Sequence, residues 1–339
     1  MEMVTLEDEL VVEVLHEAQT CELRVRKQRI ETANGHPPLA IERTTLPGGP
    51  TRGPVLLVHG FAQNRYTWRI SECSMSGWLA SQGFDVLNVE LRGHGNSRAY
   101  GAGNASDFAE YVADAVRVVD TLDQAPFYIG HSLGGAVGIG VATQRPLRGL
   151  VHLAGVYRFA RFNRTLQRLA RVSRRLEPAL LRTSARIKTA WAGRLLGRLY
   201  RVTDVAGYTM PLAGWAPGSM DRHLLEERLE KGFDWTSVEV WMQMAQWARG
   251  EAFPYAEAFE ALDLPLMVMA GDRDPLVPHE DAKACFDAST SSDKELVLLE
   301  PFDYEVHWGH IDVILGRRAP HVVWPIIGDW MQQRCKEAT

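Results

Sequence analysis

The chain has 339 residues, 46% of them hydrophobic, and a formal net charge of −5. That is enough for one large domain, or a core carrying an insertion, with no need of disulfides or a structural metal. The acidic balance gives no reason to expect a nucleic-acid partner. Cys21, Cys73, Cys285 and Cys335 are scattered and form no C-x-x-C pair, which argues against a zinc site and a disulfide framework. The first ten residues, MEMVTLEDEL, are acidic where a secretory signal is basic and then apolar. No apolar run reaches the roughly 20 residues of a membrane-spanning helix. The expectation is a soluble cytoplasmic protein, with its oligomeric state open.

In chain order, VVEVL, CELRVRKQRIET, the turn-like Asn34-Gly35 and LAIERTTL read as an antiparallel opening. PVLLVHG (54–60), FDVLNVEL (84–91), FYIG (127–130) and GLVHLAG (149–155) follow as buried strands separated by loops or helical stretches. Strand patterning then stops until PLMVMAG (265–271) and ELVLLE (295–300), and the chain closes on a helix, APHVVWPIIGDWMQQRC. Alternation of this kind predicts a mostly parallel central sheet flanked by helices, an α/β fold. The predicted organisation is a core from residues 1–155 and 256–339, interrupted by a mainly helical cap at 156–255.

The most informative segment is FYIGHSLGGAVGIGVA (127–142), where Gly130-His131-Ser132-Leu133-Gly134 fits G-x-S-x-G between a strand and a small-residue helix. A sharp strand-to-helix turn lifts a serine hydroxyl clear of the backbone, above a helix N-terminus that favours developing negative charge. A bare G-x-S-x-G is common by chance, and the structural alternative is a packing turn. The strand–helix context favours a nucleophile. His59-Gly60-Phe61 ends the strand PVLLV, and LRGHGNS (91–97) ends the next, with His94 read as structural. Downstream, Ala270-Gly271-Asp272-Arg273-Asp274-Pro275 offers two carboxylates, and EVHWGHIDVILG (305–316) offers His307 and His310. The glycine before His310 favours it as the base. The remaining histidines show no metal-ligand spacing, so neither metal nor organic cofactor is expected.

With these segments in place the chain resembles the α/β-hydrolase superfamily, and within it the acid-lipase and AB-hydrolase lipase group. HGFAQNRYTW is similar to that group's oxyanion loop, TSVEVWMQMAQWARGEAF (236–253) to its cap-ending helix, and GHIDVILG to its H-x-D histidine loop. The resemblance implies the order serine, acid, histidine, with Ser132 as nucleophile, Asp274 as acid and His310 as base. The acid falls three residues after the strand-ending Gly271, so Asp272 would brace the turn. The oxyanion donors would be the backbone N–H groups of Phe61 and Leu133. The implied activity is hydrolysis of a carboxylic ester through an acyl-enzyme on Ser132. Acyl transfer, or amide or C–C bond hydrolysis, uses the same triad. Epoxide hydrolases and haloalkane dehalogenases place aspartate at the elbow, which disfavours them here. A non-catalytic binding protein on the same scaffold would show a degenerate triad, and every part is present.

The inserted segment carries Trp191, Trp215, Phe233, Trp235, Trp241 and Trp247. Singly each is an ordinary packing residue; as a group they point to an apolar acyl pocket, with Trp235 and Trp241 as substrate-binding candidates. The same segment is rich in arginine, including Arg161, Arg164, Arg168, Arg171, Arg174 and Arg175. The ordinary reading is a solvated helix face, and the functional one is peripheral contact with anionic lipid.

Overall fold

In the computed structural model the described residues are 3–32, 35–158, 167, 171, 187–188 and 214–336. Trp191 and most of the arginine-rich segment (Arg161, Arg164, Arg168, Arg174 and Arg175) therefore lie outside them. Strands β1 (Met3–His16), β2 (Gln19–Ile30) and β3 (Leu39–Thr45) pair antiparallel in sequence. β1 starts far earlier than its apolar VVEVL suggests. Its acidic half is held across the hairpin by ion pairs, Asp8 to Arg24 at 2.7 Å and Glu7 to Lys27 at 2.5 Å, rather than by a buried face. The reversal falls at Glu17, whose φ is +49°.

The central strands are β4 (Pro54–Val58), β7 (Asp85–Glu90), β8 (Phe127–His131), β9 (Gly149–Leu153) and β12 (Leu266–Gly271). Every residue in these five strands is buried, as expected of a parallel sheet covered on both faces. Two-residue strands β5 (Arg69–Ile70) and β6 (Cys73–Ser74), and the edge strand β13 (Lys294–Leu299), complete an eleven-stranded sheet in the order β13-β12-β9-β8-β4-β7-β3-β2-β1-β6-β5. Pairing is parallel from β13 across to β7 and antiparallel from β3 onward.

Period-2 alternation divides the core. Leu57, Phe127, Ile129, Val151 and Met267 face one cluster with Trp324 and Trp330 of the last helix. Leu56, Val58, Tyr128, Leu150 and Val268 face the other. That second cluster includes the apolar face of helix Phe108–Val119, which Asp107 caps by accepting the Ala109 N–H. The expected C-terminal helix is split. A 3-10 turn, Ala319–His321, opens with Pro320 near its start, and the α-helix runs Val323–Lys336.

Between β9 and β12, which are neighbours in the sheet, no described residue joins the main sheet. The described chain there forms helices Arg222–Lys231, Val238–Trp247 and Ala256–Glu260. It also forms a two-stranded ribbon of β10 (Ile187–Lys188) and β11 (Trp235–Thr236), which helical patterning alone does not foresee.

Candidate active site

Ser132 sits between β8 and the helix Leu133–Ala142 with φ +56° and ψ −121°, a strained conformation for a side-chain-bearing residue. The strain is over-determined by backbone contacts. Ser132 N–H donates to Leu153 O (3.1 Å), and its carbonyl accepts from Gly135 and Val156. Only glycine fits at 134, where a Cβ would lie 2.3 Å from Val58 O. The loop after β4 passes just as closely: a Cβ on Gly60 would lie 2.8 Å from the Ser132 Cβ. Ala62, at φ +57°, turns that loop away again. Leu133 opens its helix, so its N–H belongs to the first-turn donors that lack intrahelical partners.

The two histidines and two aspartates sort into separate pairs. His310 Nδ1 lies 2.6 Å from Asp274 Oδ2, and both side chains are buried (1% and 0% exposed). The other Asp274 oxygen accepts the N–H groups of Leu276 and Val277, each at 2.8 Å. A carboxylate only accepts, so His310 carries its hydrogen on Nδ1 and presents a lone pair at Nε2. That Nε2 is buried with no hydrogen-bond partner among the described residues. His307 pairs instead with Asp272 (2.5 Å) at a position where its side chain is 41% exposed. Asp272 also accepts the Trp308 N–H, which braces the turn.

Several residues that sequence reasoning passed over hold this arrangement. The His131 and His310 ring centroids are 4.5 Å apart, and His131 Nε2 lies 2.8 Å from the His310 carbonyl, so it donates there. Burial, reinforced by the neighbouring His310, pushes the His131 pKa well down, so its ring is neutral. His59 is likewise pushed down by burial; its Nδ1 faces Gly60 O (2.9 Å) and its Nε2 accepts the Leu91 N–H. Asp312 accepts the N–H groups of Gly309 (2.7 Å) and Ala216 (2.8 Å), fixing the loop that carries His310. Burial raises its carboxyl to about 6, against the opposing pull of those donors. The H-x-D pattern was the available signal for Asp312; His131 is the variable position of G-x-S-x-G and carries none.

Of the aromatic candidates, Trp241 lies on helix Val238–Trp247 with its ring centroid 5.9 Å from that of Phe61. Trp215 is buried against Gly309 and supports the histidine loop. Trp247 packs edge-on to Phe108 and Phe253. Trp235 pairs through its backbone with Lys188. A cavity of about 770 Å³ at the opposite ends of the strands, bordered by Arg43, Arg52 and Arg148, contains none of the candidate catalytic residues. Among the described residues, His16, Glu17 and His321 form the one group whose ligand atoms all come within 4.8 Å of one another. It lies where the first hairpin meets the C-terminal 3-10 turn, and its members are too distant in sequence to read as a motif.

The profile of the family described as alpha/beta hydrolase fold matches residues 53–314. Epoxide hydrolase B of Mycobacterium tuberculosis is 33% identical over 99 residues, which is 29% of this chain and 27% of that protein; the match therefore spans about a quarter of that relative. The magnesium-chelatase 30 kDa subunit of Rhodobacter capsulatus is 27% identical over 246 residues, 70% of this chain and 76% of that one. The structure of a soluble variant of monoglyceride lipase from Saccharomyces cerevisiae superposes with a TM-score of 0.62 at 19% identity, over 91% of this chain and 96% of that one. Among the described residues no helix is long and apolar enough to cross a membrane. With a profile match that runs from β4 into the short helix Asp312–Leu315 after His310, the chain belongs to the α/β-hydrolase family.

Proposed function

We propose that the protein is a serine hydrolase that cleaves a carboxylic ester through an acyl-enzyme on Ser132. The observation that carries this reading is a serine at a strained strand-to-helix elbow whose preceding residue, His131, packs against a buried histidine–aspartate pair. His131, adjacent to Ser132 in sequence, is in ring contact with His310. In the proposed reaction His310 Nε2 takes the Ser132 proton as Oγ bonds to the acyl carbon. Asp274 holds the imidazole tautomer and stabilises the cation that forms. The N–H groups of Phe61 and Leu133 stabilise the oxyanion. As the tetrahedral intermediate collapses, the ester C–O bond breaks and the alcohol leaves with the proton from His310. Water then attacks the acyl-enzyme, giving its proton to His310, and the carboxylic acid is released as Ser132 recovers that proton. No cofactor enters these steps.

Serine at the elbow supports ester chemistry over epoxide opening, despite the local similarity to epoxide hydrolase B. Trp241 beside Phe61 supports an apolar acyl group as part of the substrate, held by a cap formed from residues 156–255. The test is a fluorophosphonate probe with a p-nitrophenyl ester assay. Wild-type protein labels and turns over, whereas folded Ser132→Ala does neither, with activity down by several orders of magnitude. Equal labelling of both proteins removes Ser132 from the mechanism.

A further inference from the structure

We infer that Arg228 is an anion-recognition residue of this site, and that the substrate carries a carboxylate or phosphate group that pairs with its guanidinium. The inference rests on the ester-hydrolase reading for the identity of the reaction, but not for the anion site itself.

Arg228 lies on the helix Arg222–Lys231 and is 0% exposed. Among the described residues its Nε and Nη1 have no hydrogen-bond partner, and Nη2 makes one long bond, 3.4 Å, to Thr67 Oγ1. Among the described residues no carboxylate forms an ion pair with it. Three other arginines reaching the interior are neutralised: Arg92 by Asp114 and Glu110, Arg65 by Glu90, and Arg69 by Glu13 and Glu42. Two features make the isolated charge tolerable. The Phe233 ring centroid is 5.4 Å from the guanidinium carbon, and the group folds over the C-terminus of its own helix at Gly232, where a Cβ would lie 1.7 Å from Nη1. Neither satisfies the N–H donors of Nε and Nη1. Burial lowers the pKa only to about 10, so the group stays cationic at neutral pH. An apolar side chain would fill such a place at less cost to folding, which leaves the unpaired charge without a structural purpose.

The surroundings supply a purpose. Thr67 Oγ1 donates to Gln63 Oε1 at 2.8 Å, and the Gln63 carboxamide lies 3.3 Å from a Cβ placed on Gly60. That same position is 2.8 Å from the Ser132 Cβ. Arg228 is thus connected to the nucleophile through Thr67, Gln63 and Gly60. Its charge is also felt by His59 and His131, contributing to the lowered pKa of each. A planar guanidinium with free N–H groups matches the oxygens of a carboxylate or a phosphate in a fork geometry. A substrate ester bearing such a group a few bonds from its scissile carbonyl would satisfy the donors the protein leaves unpaired.

The experiment compares matched p-nitrophenyl esters of equal chain length: one ending in a free carboxylate, one in its neutral methyl ester, and one in a phosphate monoester. The expected result is that wild-type protein prefers at least one anionic ester, with the effect mainly in KM. Arg228→Met should lower the anionic-to-neutral ratio of kcat/KM about 10- to 100-fold, the scale of a lost charged hydrogen bond, and Arg228→Lys should restore part of it. Which anion is preferred separates a carboxylate from a phosphate substrate. An unchanged ratio in Arg228→Met, or no anionic preference in wild type, overturns the inference; the wild-type series decides it even where the Met variant fails to fold. A second readout is independent of turnover. Glutarate or inorganic phosphate should raise the melting temperature of Ser132→Ala protein, and the added Arg228→Met change should abolish the shift. That result with no ester turnover would sink the hydrolase reading and keep the anion site, whereas turnover with no shift and no preference would do the reverse.

Discussion

Asp274→Asn tests the proposed acid most sharply, because the structure dictates how the new amide must sit. Asp274 Oδ1 accepts two backbone N–H groups, from Leu276 and Val277, both at 2.8 Å. An asparagine NH2 turned toward them would set donor against donor, so the carbonyl oxygen takes that place and the NH2 faces His310 Nδ1. His310 must then accept at Nδ1 and carry its hydrogen on Nε2, which removes the lone pair that receives the serine proton. The equivalent change in the template serine-protease triad costs about four orders of magnitude in kcat, about 5.4 kcal/mol of barrier. Both backbone bonds survive, so stability should fall by only about 1–2 kcal/mol. The assay is p-nitrophenyl ester turnover beside urea unfolding, with Asp272→Asn as the comparison. Asp272 serves the half-exposed His307 and the Trp308 amide, so its loss should cost about one order of magnitude or less. Asp274→Asn within tenfold of wild type, or Asp272→Asn the more damaging, refutes the reasoning.

Two further perturbations examine the histidine loop and the cap. Burial raises the Asp312 carboxyl from its ordinary 3.8 to about 6, so between about pH 4 and 6 the folded state holds a proton that the unfolded state has released. The stabilising contribution is present at low pH and lost as pH rises through 6. Wild type should therefore lose about 2 kcal/mol relative to Asp312→Asn between pH 4 and 7 in urea unfolding, and a pH-independent difference refutes it. Trp241→Ala removes the ring beside Phe61 and should move the optimum in a series of p-nitrophenyl esters toward longer acyl chains, with a modest loss of stability. An unchanged chain-length profile places the acyl site elsewhere.

What the sequence could disclose follows from where burial leaves a pattern. The central strands were legible because burial on both faces demands unbroken apolar runs such as PVLLV and LMVMA. The first half of β1 was not, since cross-strand ion pairs rather than apolar alternation hold it. β5 and β6 are too short for any period to show. The G-x-S-x-G segment located Ser132, yet two aspartates and two histidines remained on nearby loops. Glycine spacing favours Asp274 and His310, and the fold adds a physical distinction by burying that pair and leaving the other's histidine half exposed. Arg228 was hidden for the opposite reason. RHLLEERLEK, with its Arg222–Glu226 and Glu227–Lys231 ion pairs at i,i+4 spacing, reads as a solvated helix surface. One charged residue of that helix is in fact turned fully inward.

The same region joins the inserted segment to the loop after β4. Asp234 N–H donates to Ala62 O at 2.9 Å, and Phe233 makes a β-bridge with Gln63, so the inserted segment pairs directly with the loop that carries Phe61. The Asp234 carboxylate accepts the Gly95 N–H and pairs with Arg98, which ties this junction to the loop after β7. Phe233 also lies against the Arg228 guanidinium. An anion drawn to Arg228 would therefore act on a residue whose neighbour in the chain is hydrogen-bonded to the oxyanion loop. Oxyanion stabilisation depends on donor placement at hydrogen-bond precision. If Phe61 is the oxyanion donor proposed above, a residue of the inserted segment would alter kcat through that amide without touching the reacting atoms. On the proposed reading, the described part of the inserted segment would then belong to the catalytic frame as well as to the wall of the pocket.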